Sequence, residues 1–177
     1  MRRWISTLSA IAFASASLSF ALESQVRQRI VLEVSAGGAL GVSGNPRPLI
    51  IGPGAASGAF LGAADGSTEL HYSSTVGRGT RRVIVVQWES GDAAPAGCVL
   101  RLAAKPAGGG PEGSSGGEII LSGDPRVLIA GIGSCATGLR PGEGAALFYH
   151  LSVVNPALLS SGETKTATII FTLMDAI

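Results

Sequence analysis

A ten-residue stretch that occurs twice constrains this chain more than any other feature. Ser43–Gly52 reads SGNPRPLIIG and Ser122–Gly131 reads SGDPRVLIAG, with seven of ten positions identical across an interval of 79 residues. The segments downstream of the two copies are also alike. After the first come TELHYSST (Thr68–Thr75), the turn GRGT and RRVIVVQWE (Arg81–Glu89). After the second come the turn PGEG, AALFYHLSVV (Ala145–Val154), a loop ending SSGE and TKTATIIFTL (Thr164–Leu173). Internal similarity at a fixed interval restricts architecture before any residue-level assignment, and two copies are too few for a solenoid. The expectation is an all-β fold: one antiparallel β-sandwich, Ig-like or jelly-roll-like, built of two similar halves. The decapeptide itself asks for no ligand. Asn or Asp before proline opens a turn, proline fixes φ, and the arginine leads the following strand.

Strand periodicity supports this. In Gln25–Val34, QVRQRIVLEV, the residues Val26, Gln28, Ile30, Leu32 and Val34 share one face, opposite Arg27, Arg29, Val31 and Glu33. Period-two alternation over such a length predicts a half-buried strand. Val83–Trp88 is apolar on both faces, which predicts a central strand covered on both sides, with Trp88 in the core. Cys98, Leu100 and Leu102 point inward with Arg101 outward, and Ala167, Ile169, Phe171 and Leu173 share a face of the last strand. Gly108–Gly117, GGGPEGSSGG, predicts a mobile hairpin loop. It lacks the G-K-[S/T] ending of a phosphate-binding loop. No amphipathic helix is expected after residue 21.

The first 21 residues read as a signal peptide. Arg2 and Arg3 precede the uncharged run Trp4–Phe20, and Ser19-Phe20-Ala21 fits the small-x-small cleavage rule. A membrane anchor is the competing reading, weakened by six Ser and Thr residues in the run. Residues 22–177 then form a single domain, expected to be secreted or at the cell surface, with no stable membrane insertion once the signal is cleaved. Removing Arg2 and Arg3 leaves 11 basic against 12 acidic residues. That is no footprint for nucleic acid. Cys98 and Cys135 are the only cysteines, and an even pair in an exported chain predicts a disulfide. It would close a loop of 38 residues and contribute about 4 kcal/mol on loop-entropy grounds.

Catalytic constellations are hard to assemble. His71 and His150 each adjoin a tyrosine in mid-strand, no G-x-S-x-G elbow is present, and most acids (Asp65, Asp92, Glu112, Asp124, Glu143, Glu163) fall in turns. The two cysteines and two histidines lack paired metal-ligand spacing, and no Asp/Asn cluster suits calcium. The expectation is no enzyme, no metal and no cofactor.

The chain resembles a loose class of exported bacterial and archaeal β-sandwich proteins that form extracellular fibres and pili, of the bundling-pilin, biofilm-matrix and spore-coat-U kinds. The features that carry the resemblance are the signal peptide, the alternating N-terminal strand, the short Gly/Thr-rich strands and the terminal T-x-T-x-x-F-T-L-x-D, here Thr166–Asp175. It implies a structural subunit that polymerises with copies of itself by donor-strand exchange, an N-terminal strand completing the sheet of the next subunit. The candidate donor side chains are Val26, Ile30, Leu32 and Val34. That strand could equally pair within its own subunit. A monomeric secreted module binding a glycan or protein through its loops is the alternative function.

Overall fold

The computed structural model describes residues 29, 33–53 and 60–176. The expected signal peptide, and Val26, Ile30 and Leu32 of the expected N-terminal strand, lie outside the described residues. Val34 is described, and it stands outside any strand, 84% exposed. The compact unit is Val34–Ile177.

Among the described residues, twelve strands run in chain order: β1 (Gly37–Val42), β2 (Gly52–Pro53), β3 (Phe60–Leu61), β4 (Ala63–Thr75), β5 (Arg82–Trp88) and β6 (Cys98–Lys105), then β7 (Ser114–Ser115), β8 (Ile119–Ile120), β9 (Arg126–Ile132), β10 (Cys135–Ala136), β11 (Ala145–Val153) and β12 (Ile169–Asp175). The only helices among the described residues are two single 3₁₀ turns, at Gly110–Glu112 and Pro156–Leu158. All pairings among the described residues are antiparallel. One sheet has the order β1-β4-β11-β6-β8, with β10 also against β4, and a second has the order β12-β5-β9-β7. Strands β2 and β3 form a separate small hairpin.

Both sheets contribute to one buried cluster. Leu70, Leu102 and Leu147 come from the first, and Ile84, Val86, Leu128 and Ile129 from the second. The alternation read in the sequence explains it, because residues two apart share a face of a strand. On β4 the buried positions are Asp65 and then the alternating Thr68, Leu70, Tyr72 and Ser74, and on β11 they are Ala145, Leu147, Tyr149 and Leu151. Strand β5 is central, between β12 and β9, yet it is covered on one face only. Ile84, Val86 and Trp88 are buried while Val83, Val85 and Gln87 remain half-exposed. Its second apolar face packs under no described layer, so continuous hydrophobicity overstated its burial.

The two decapeptide copies do not share one local structure. The second supplies Arg126 to Gly131 of β9, which pairs with β5 and sets Val127 opposite Val85. The first runs without regular structure from Asn45 to Ile51, with Leu49 and Ile51 half-buried against the core. Pro48 stands where the second copy has Val127, and a proline supplies no ladder N–H. Arg47 lies instead beside Asp65. Burial works against that carboxylate, but bonds from the Ser67 hydroxyl and N–H and from the Arg47 backbone, with the Arg47 charge, hold it below the usual carboxylate range.

The glycine-rich Gly108–Gly117 is more ordered than a free loop. It carries a 3₁₀ turn and β7, which pairs with β9. Gly113 has φ +89°, and a Cβ there would lie 2.5 Å from the Ala130 carbonyl oxygen. Gly113→Ala is therefore expected to lower stability by about 1–3 kcal/mol in a denaturant titration. Gly110→Ala, at φ +76° but with open space around it, should cost about 1 kcal/mol or less.

Candidate functional site

The two sides of the sheet pair are finished differently. On one side the chain itself crosses between sheets. The N–H of Leu121 donates to the Leu100 carbonyl in the first sheet, and the N–H of Trp88 in the second donates to the Ser122 carbonyl. Among the described residues, nothing comparable joins β1 to β12. Between them lies an open trough of about 490 Å3 lined by Gly38, Ala39, Leu40, Arg82 and Phe171–Asp175. Its apolar side chains, Leu40, Phe171 and Leu173, pack against the core but stay only partly buried.

Register shows what this edge presents. The N–H of Glu89 donates to the Thr168 carbonyl and the N–H of Ala176 to the Arg81 carbonyl. Opposed residues of an antiparallel pair alternate between bonded and non-bonded. The even-numbered residues of β12 thus bond to β5, and the N–H and C=O groups of Ile169, Phe171, Leu173 and Asp175 point away from it. No described residue pairs with them. Ile169, Phe171 and Leu173 also carry the core-facing side chains of β12, so this edge lacks both ladder partners and apolar cover among the described residues. A long, partly apolar open edge is a template for strand addition.

One end of the trough is clamped. Arg82 donates from Nε to Asp175 Oδ1 at 2.8 Å and from Nη1 to the Gly37 carbonyl at 2.5 Å. The start of β1 and the end of β12 therefore sit at the same pole, and the two strands run in opposite directions. A Cβ on Gly38 would meet the Leu173 side chain at 2.7 Å, so this glycine permits the close approach of β1 to β12 at that end.

The remaining candidate residues have local explanations. The His71 Nδ1–H donates to the Gly138 carbonyl at 2.7 Å, while Glu69 accepts from the N–H groups of Gly142 and Gly144, pinning the 138–144 turn onto β4. His150 is exposed on β11, opposite Arg101. Trp88 is in the core as expected, its Nε1–H donating to the Leu121 carbonyl. The described residues hold no group of three His, Cys, Asp or Glu placed to bind a metal, and no helix long and apolar enough to cross a membrane.

The expected disulfide is corrected. Cys98 and Cys135 are both free thiols. Cys98 pairs with Val153, just beyond the Leu151–Ala63 pair, whereas Cys135 pairs with Ser74 at the other end of β4. From Ala63 to Ser74 the strand covers about 36 Å, whereas a disulfide needs Cα atoms within about 7 Å. An even cysteine count reports compartment chemistry, not distance. Burial pushes both thiols up, with Glu163 adding to this at Cys98 and Glu112 at Cys135, so neither is poised as a thiolate. Reductant is expected to leave the thermal midpoint of the isolated subunit unchanged; an intramolecular bridge would show as a loss of about 4 kcal/mol.

The chain matches no family model, no curated protein and no solved structure. The β12 edge was missed in the sequence because a vacancy is a property of pairing. Pro48, standing where the strand-forming twin has Val127, was the available signal.

Proposed function

We propose that the chain is a β-sandwich of two similar halves with one edge position vacant. It serves as a non-enzymatic structural subunit of an extracellular fibre, pilus or surface layer. Polymerisation is by donor-strand exchange, with residues 25–34 of one copy filling the trough beside β12 of the next. The observation that carries this reading is the β12 edge, unpaired among the described residues, over an incompletely covered core. The sequence just before β1 supplies a matching occupant: ten residues with alternate side chains, of which Val26, Ile30, Leu32 and Val34 are apolar.

The halves are supported by register. The 79-residue interval carries His71 onto His150 and Thr68 onto Leu147, and Thr68 and Leu147 are direct cross-strand partners. A residue opposite its own counterpart in an antiparallel pair marks a local two-fold axis. In the other sheet β5 and β12, which come after β4 and β11 respectively, are likewise antiparallel neighbours.

Size-exclusion chromatography with negative-stain microscopy on the exported chain, with and without residues 22–34, tests the function. Filaments or ladders that vanish on deletion are expected. An intact chain that stays monomeric and is destabilised by the deletion would overturn the proposal. It would favour a monomeric binding module, for which the exposed Phe148 ring on β11 offers a contact.

A further inference from the structure

We infer that the strand entering the β12 trough runs antiparallel to β12, comes from a second copy of this chain, and for that reason builds an open head-to-tail chain rather than a closed dimer. This rests on the donor-strand reading and adds the partner's direction.

The first support is the two-fold relation of the halves. It pairs β4 with β11 and β5 with β12. Strand β9, from the second decapeptide, lies antiparallel on the outside of β5. The equivalent place on the outside of β12 belongs to the first decapeptide, which does not occupy it. Pro48 accounts for this, because it stands where β9 has Val127 and a proline is poorly tolerated inside a ladder. The vacancy therefore inherits the geometry of β9: a strand antiparallel to its neighbour.

The second support is where the chain's own N-terminal segment is tethered. Gly37 sits at the Asp175 pole, held through Arg82. Only Val34–Ala36 separate it from Glu33. If a subunit laid its own residues 25–33 in its own trough, Glu33 would end at that pole. The segment would run parallel to β12 and set Glu33 near the exposed Asp175 carboxylate. The antiparallel strand of a second copy does the reverse. It brings Arg27 and Arg29 toward Asp175 and takes Glu33 to the far end, and like charges in apposition are unfavourable.

Direction also decides assembly. An antiparallel donor leaves its parent subunit beyond the Ile169 end of the acceptor, so the Gly37 pole of one subunit meets the opposite pole of the next. Such a contact is heterologous and does not close. A parallel donor in trans would bring two Gly37 poles together, the arrangement of a reciprocally swapped dimer.

The test appends a second copy of residues 22–34 after Ile177 of the exported full chain. One variant uses a four-residue linker, and the other a Gly/Ser linker of about 16 residues, whose root-mean-square span is about 22 Å. The short linker permits only the antiparallel return of a hairpin, whereas the long one reaches either polarity. A scrambled copy on the short linker controls for bulk. The expected result is that the short linker yields monomers with a raised thermal midpoint and no filaments, the long linker does the same, and the scrambled copy does not. Capping by the long linker alone would overturn the antiparallel direction while leaving the trough as the docking site. Capping by neither would overturn both this inference and the donor-strand reading.

Discussion

Leu173→Lys is expected to give a folded chain that no longer assembles. Leu173 is core-facing yet only partly buried at the β12 edge. A lysine there can lay its stem over the apolar floor and carry its ammonium out of the trough. The loss of apolar burial is about 1–2 kcal/mol, small against the total stability of a domain of this size. The effect on a partner strand is much larger. An inward-pointing charge at an open edge is the device by which natural sheets refuse further strands, and an incoming apolar side chain would have to cover the ammonium. Filament yield should fall by at least an order of magnitude by pelleting and microscopy, with circular dichroism unchanged. Thr172→Lys is the matched control: its side chain is exposed, its backbone faces β5, and assembly should persist. Assembly by the Leu173→Lys chain would place the contact elsewhere.

Trp88→Ala is expected to be among the most damaging core substitutions, at about 3–5 kcal/mol in denaturant unfolding. Trp88 is 6% exposed, and its Nε1–H donates to the Leu121 carbonyl at 3.2 Å. It ties β5 to the segment that closes the side opposite the trough. Truncation both opens a cavity and leaves a buried carbonyl without its donor. Trp88→Phe keeps most of the volume and loses only the hydrogen bond and some packing, so it should cost about 1–2 kcal/mol. A loss below about 1 kcal/mol for the alanine variant would mean that the crossing segment does not depend on this anchor.

The strands themselves were largely legible. The repeat marked TELHYSST and AALFYHLSVV as strands, now β4 and β11, and alternation in Cys98–Ala104 located β6 and its buried side through Leu100 and Leu102. The shared face Ala167, Ile169, Phe171 and Leu173 was read correctly because period two needs no tertiary information. What failed needed distance or pairing. Cys98 and Cys135 looked like a bridge until register put them at opposite ends of one sheet. Val83-Ile84-Val85-Val86 read as doubly covered, but hydropathy cannot tell a second layer from a half-exposed face rich in valine. Gly108–Gly117 read as a loop because sequence does not show that Gly113 and Gly116 bring the backbone against β9. Of the candidate site, Phe171 and Leu173 were visible as core-facing residues. That no described strand covers them emerges only from the full set of pairings.

Residue-resolved hydrogen exchange measures directly whether the outward-facing amides of β12 gain partners on assembly. In the subunit lacking residues 22–34, the Phe171 and Leu173 amides should exchange freely while Ile170 and Thr172, bonded to β5, are protected. In the assembled full chain all four should be protected, with Phe171 and Leu173 slowed by at least about tenfold. Phe171 and Leu173 amides already slow in the truncated subunit, or still fast after assembly, would contradict the claim that β12 is the vacant edge on which the polymer is built.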